Sequence, residues 1–99
     1  MNTRQEVLDA ASAAVNGSRD ADYGKPEDNF SRIARLWNGH LINIGLIQPS
    51  PQKDGYLEPS DVAVLLLLVK VARLAETPNH RDSWVDIAGY AACGAECAP

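Results

Sequence analysis

His80-Arg81-Asp82-Ser83-Trp84-Val85-Asp86-Ile87-Ala88-Gly89-Tyr90 follows directly on Val62–Ala75, the most apolar run in the chain. How these two stretches are read decides the fold. At 3.6 residues per turn, Asp82 and Asp86 stand one turn apart on one helical face, which Gly89, Tyr90 and Cys93 continue. Trp84, Ile87, Ala88, Ala91 and Ala95 fall on the other side and are expected to form the packing face. The upstream run is apolar in every direction except at Lys70 and Arg73. Its length and its alanine and leucine content favour a helix over a strand. Apolar residues all round mark a helix buried in the centre of the domain or in an oligomer interface. The two stretches thus read as a helical hairpin holding two acids and two bases.

Working outward, Glu58-Pro59-Ser60-Asp61 has proline and acids where a helix begins, which opens the apolar helix at 59 and carries it to 76. Thr77-Pro78-Asn79 ends it, and Asn79 is placed to cap a last helix over 80–96 with Asp82 at its third position. Toward the N-terminus, Pro26-Glu27-Asp28 suits a first helical turn: the proline lacks an N–H that would be unpaired there, and the acids favour the positive end of the dipole. Phe30, Ile33, Ala34, Trp37 and Leu41 then form one apolar stripe, giving a helix over 26–41, with Asn38-Gly39 as a possible earlier stop. Phe30 and Trp37 read as core. Thr3-Arg4-Gln5-Glu6 is a capping-box pattern, and Val7, Leu8, Ala11, Ala14 and Val15 recur at helical spacing, giving a first helix over 4–16. Residues 42–58, with Pro49, Pro51 and Asp54-Gly55, read as a long loop. The expectation is one all-α domain of four helices.

Composition narrows what this domain does. Its 99 residues suit one core, and a chain this short buries its apolar surface incompletely, which favours self-association. Nine basic residues against 13 acidic ones, a formal net charge of -4, argue against binding a nucleic-acid backbone, which needs a basic face. They leave room for a small anion held by local cations. Cys93 and Cys97 lie four apart on a predicted helix, which suits neither a disulfide nor a zinc pattern. The polar N-terminus does not read as a secretory leader, and the eight apolar residues from Val62 to Val69 fall short of the roughly 20 that span a bilayer. The expected location is the cytoplasm.

The charged residues admit two kinds of reading. Lys70 and Arg73 lie three apart on the apolar helix. They either pair with Asp82 and Asp86 across the short turn or face a phosphate-bearing ligand, onto which Arg73 can fork. Asp82 and Asp86 either cap and pair or ligate Mg²⁺ with a further acid such as Glu27. Tyr23, beside Gly24, is the aromatic residue best placed to stack on a base.

Arg19-Asp20-Ala21-Asp22-Tyr23-Gly24-Lys25-Pro26-Glu27-Asp28-Asn29-Phe30, then Ile33-Ala34-Arg35-Leu36-Trp37, Lys70-Val71-Ala72-Arg73-Leu74-Ala75 and His80 to Ala91, resembles a phage and prophage family of small proteins. The resemblance covers nearly the whole chain except about 42–57. Asp86-Ile87-Ala88-Gly89-Tyr90 is also similar to the end of the last helix in MazG-type all-α nucleotide pyrophosphohydrolases. Those are small oligomeric four-helix units that hold Mg²⁺ around a nucleoside triphosphate with Glu-x-x-Glu and Glu-x-x-Asp pairs. The resemblance implies a compact MazG-like fold, a homo-oligomer and a phage-encoded, Mg-dependent nucleotide pyrophosphohydrolase. Asp86, Asp82 and Glu27 would be catalytic and metal-holding. Lys70 and Arg73 would bind phosphates, Tyr23 would lie near the base, and Asn29, His80, Arg81 and Tyr90 would complete the ligand-binding set. The chain departs from the enzymes' pattern: Ser83 stands three before Asp86, and Phe30 three after Glu27. The alternative is a non-catalytic protein on the same scaffold that sequesters a nucleotide, as in countering a host defence signal, or binds a host protein.

Overall fold

The computed structural model describes residues 3–17, 21, 24–49 and 56–99. Among them are four helices and no strand: α1 (Thr3–Asn16), α2 (Pro26–Asn43), α3 (Pro59–Glu76) and α4 (Arg81–Cys97). Tyr23 and residues 50–55 of the predicted loop lie outside the described residues. Among the described residues no helix is long and apolar enough to cross a membrane.

The helix ends show which local signals prevailed. Gly24, at φ 77°, makes a left-handed turn that only glycine takes at no steric cost, and Pro26 opens α2 behind an extended Lys25. Asn38-Gly39 does not stop this helix. The Asn38 side chain instead donates to the Leu57 carbonyl (3.2 Å) and accepts from the Leu57 N–H (3.0 Å), so it does not compete with its own backbone. α2 runs on to Asn43, and Gly45 at φ 76° ends it. Glu58 and Asp61 form a reciprocal capping box at the start of α3, the Glu58 N–H donating to Asp61 Oδ2 at 2.8 Å. Two expected caps are replaced. His80, not Asn79, caps α4, its ring accepting from the Ser83 N–H. Thr3 lies within α1, and the Glu6 carboxylate, expected to reach back to the Thr3 amide, is engaged by Arg81 of α4.

Among the described helices α4 is the hub: it packs against the three others, whereas α1 packs against α4 alone. α3 and α4 form an antiparallel hairpin, with Lys70 beside Asp86 near the turn and Ala63 against Gly94 at the open end. α1 lies parallel to α4, since Glu6 meets Arg81 and Val15 meets Gly89. α2 lies across the open end of the hairpin, where Phe30, Ala34, Val62, Ala63 and Cys93 make the core and Trp37, Leu66 and Tyr90 pack onto it.

Two faces differ from expectation. On α4 the buried residues are Ser83, Gly89 and Cys93, while Trp84, Ala91 and Ala95 are exposed. The face bearing Asp86, Gly89 and Tyr90 is thus the packing face. Its glycines let neighbouring backbones approach: a Cβ on Gly94 would lie 2.9 Å from Ala63 Cβ, and one on Gly89 3.3 Å from a Val15 methyl. Close approach outweighs side-chain hydrophobicity here, because the alanines opposite have little surface to bury. α3 is likewise not the centre of the domain. It buries Val62 and Ala63 but exposes Val64, Leu65, Leu68, Val69 and Val71.

Candidate functional site: a groove between two parallel helices

Because α1 and α4 are parallel, their N-termini lie at the same end of the molecule, and both carry the positive end of a helix dipole there. Between them is a groove of about 700 Å³. Val7 and Leu8 of α1 and Trp84, Ile87 and Ala88 of α4 give it apolar walls, while Thr3, Arg4, Asn79 and Arg81 supply its polar edge. This volume lies within the roughly 300–1,000 Å³ usual for small-molecule sites. Trp84 is 48% exposed, yet its ring is fixed, because the indole N–H donates to the Pro78 carbonyl at 2.9 Å. A large flat surface is thereby held open to solvent, as a stacking platform requires. Arg81 pairs with Glu6 across the groove and joins the two helices at this end.

His80 fixes the start of α4 as its N-cap. Its Nδ1 lies 2.8 Å from the Ser83 hydroxyl and accepts from the Ser83 N–H, and Ser83 is 1% exposed. The cap therefore satisfies a buried polar residue as well as a helix end.

The other predicted site residues fall into separate places. Lys70 pairs with Asp86, Nζ to Oδ2 3.0 Å, within the α3–α4 hairpin. This realises the pairing reading for one base and one acid. Arg73 and Asp82 are exposed, and none of these four side chains lines the groove. Tyr90 is half-buried against the core, and Asn29 is half-buried in the first turn of α2. Glu27 lies at the far end of α4, where, after burial itself, its charge raises the Cys97 thiol pKa above its usual value. Asp86 precedes Cys97 by 11 positions, a rise of about 16 Å along the helix. Glu27 is therefore not brought together with Asp82 and Asp86. Among the described residues no group of three or more His, Cys, Asp or Glu side chains converges to hold a metal ion. This donor set does not fit Mg²⁺, which takes carboxylates gathered around one point.

Of the groove residues, Arg81 was in the expected ligand-binding set, and the others escaped the sequence reading for identifiable reasons. Trp84 was assigned to the packing face, and the Glu6–Arg81 contact spans 75 positions with no local signal. The detectable clue was Gly89 and Gly94 on the acidic face, since glycine inside a helix marks close approach of a neighbour.

An all-α arrangement of four helices with a groove at one end is the class that fold and site define. Residues 6–98 match the profile of a family described as a domain of unknown function, DUF6378, and the chain belongs to that family. It is 38% identical over 89 residues to the Gene 55 protein of Mycobacterium phage D29, covering 90% of this chain and 51% of that protein. It is 39% identical over 85 residues to the Gene 55 protein of Mycobacterium phage L5, covering 86% of this chain and 47% of that protein. The chain thus spans about half the length of the curated relatives it matches. No solved structure matches it. These relatives are phage proteins, as the resemblance to a phage family implied.

Proposed function

We propose that this phage-family protein is a non-catalytic binding domain for a small anionic ligand of the nucleotide class, held in the groove between α1 and α4. The observation that carries this reading is the conjunction of a fixed, half-exposed indole with apolar walls and the positive ends of two parallel helices. A nucleobase stacking on Trp84 would bury a flat apolar face. Its phosphates would lie toward Thr3, Asn79 and Arg81, where backbone N–H groups and the guanidinium favour negative charge. Glu6 already neutralises part of the Arg81 charge, so a ligand with few charges suits the groove better than a fully ionised triphosphate.

The Mg-dependent pyrophosphohydrolase reading would require Glu27, Asp82 and Asp86 to share an ion, and their separation supports the binding reading instead. The test is a titration with nucleoside mono-, di- and triphosphates in EDTA, following Trp84 emission in a Trp37→Phe background. The expected result is saturable quenching in EDTA, lost in Trp84→Ala and weakened in Arg81→Ala, with no pyrophosphate released on adding magnesium. Quenching that needs magnesium and accompanies pyrophosphate release would restore the hydrolase. Absence of any nucleotide effect on emission or melting temperature would remove the nucleotide ligand.

A further inference from the structure

α3 leaves an ordered apolar seam in solvent. Asp61, Val64, Leu65, Leu68, Val71, Ala72 and Ala75 recur at intervals of three and four and are all exposed. At 100° per residue they lie within about 60° of Leu68, on the side opposite the buried Val62 and Ala63 and the half-buried Leu66. Of the ten large apolar side chains exposed among the described residues, five belong to this one helix: Val64, Leu65, Leu68, Val69 and Val71. Scattered exposed leucines need no explanation, but a stripe with seam spacing has the form that packs against another helix.

We propose that this seam closes against the same seam of a second copy, antiparallel, across a two-fold axis passing near Leu68. Three observations select that occupant. The seam is self-complementary about Leu68: antiparallel pairing sets Leu65 opposite Val71, Val64 opposite Ala72 and Asp61 opposite Ala75 of the other copy, so apolar side chains meet and no acid faces an acid. Parallel pairing would instead set Asp61 against Asp61 and align the two helix dipoles, both unfavourable. The buried apolar core is also small, Phe30 and Val62 being the only large apolar side chains below 2% exposure among the described residues. Finally, the chain exposes 6899 Å², where a compact monomer of 10.7 kDa averages about 5,500 Å². The groove between α1 and α4 does not share residues with this seam, so dimer and ligand site are independent.

Light scattering on the eluting peak, with the chain at tens of micromolar, tests the association. The expected mass is twice 10.7 kDa, falling to half of that in Leu68→Glu with helical circular dichroism retained. Leu68→Cys in a Cys97→Ser background tests the register, and needs no loss of folding. It should cross-link to a dimer on mild oxidation, whereas Arg73→Cys, on the same helix but off the seam, should not. A monomeric parent chain, an undiminished mass in Leu68→Glu, or cross-linking through Arg73→Cys in preference to Leu68→Cys would each overturn the proposal.

Discussion

Replacing Gly94 with alanine adds one methyl group at the point where α3 and α4 come closest. The new Cβ would lie 2.9 Å from Ala63 Cβ, closer than two such atoms approach, and neither is the end of a flexible side chain. The helices must separate, and overpacking of this kind costs about 1–3 kcal/mol. Against it stands the gain from glycine to alanine within a helix, about 1 kcal/mol. The net is a loss of about 0–2 kcal/mol, and each kcal/mol lowers the melting temperature of a domain this size by about 4–8 °C. Gly89→Ala supplies the control. Its Cβ would meet a Val15 methyl at 3.3 Å, which a small side-chain shift relieves, so the propensity gain should leave stability unchanged or raised by up to about 1 kcal/mol. Thermal and urea unfolding followed by circular dichroism should therefore rank Gly89→Ala at or above the parent and Gly94→Ala below it. The exchange Ala63→Gly with Gly94→Ala moves the methyl group across the interface and should recover most of the loss. If Gly94→Ala melts at or above Gly89→Ala, the close approach of α3 and α4 does not exist as described.

Three further outcomes follow from the site and its surroundings. His80→Ala removes the α4 cap and the Ser83 partner together and should cost about 1 kcal/mol in urea unfolding, with His80→Asn recovering most of it. Cys97, whose thiol is pushed up by burial and then by Glu27, Glu96 and Cys93, should alkylate with iodoacetamide more slowly at pH 8 than a free thiol, and Glu27→Gln should speed it. Because that pKa is raised on folding, the associated stability is present at neutral pH and is lost as pH climbs through the folded value; a Cys97→Ser variant that kept the same alkaline loss would count against it. Melting curves in EDTA and in magnesium should superimpose, since the acids do not converge; a magnesium-dependent rise would show a carboxylate cluster that the separation of Glu27 from Asp86 rules against.

Helix periodicity and punctuation carried most of the fold. Pro26, Pro59 and the Phe30 stripe acted through local rules, and the structure places Phe30 and Trp37 in or against the core, as their spacing suggested. The faces were harder. Hydrophobicity alone assigns Trp84, Ala91 and Ala95 to the inside of α4, whereas backbone proximity at Gly89 and Gly94 turns the opposite side inward. Caps were ambiguous for a related reason: Asn79 and His80 are adjacent, both can accept from a helix N–H, and the buried Ser83 hydroxyl favours the histidine. The Lys70–Asp86 pair was legible from spacing across a short turn as one of the pairings open to the two bases; Lys70 is half-buried beside α4, whereas Arg73 is exposed. The groove depends on α1 lying parallel to α4, a placement that no interval in the chain encodes.

That, among the described helices, α1 packs against α4 alone gives the protein an uneven stability. The other three helices carry the buried core, and α1 reaches it only at its C-terminal end, where Val15 packs against it, so the N-terminal turns of α1 can open without disturbing Phe30 or Val62. Its amides should exchange with solvent by a local opening at lower free energy than those of α3 and α4. The groove exists only while α1 is docked, because Val7 and Leu8 form one of its walls. Any molecule that occupies it must therefore hold α1 in place, and part of its binding energy will appear as slowed exchange in α1 rather than as affinity.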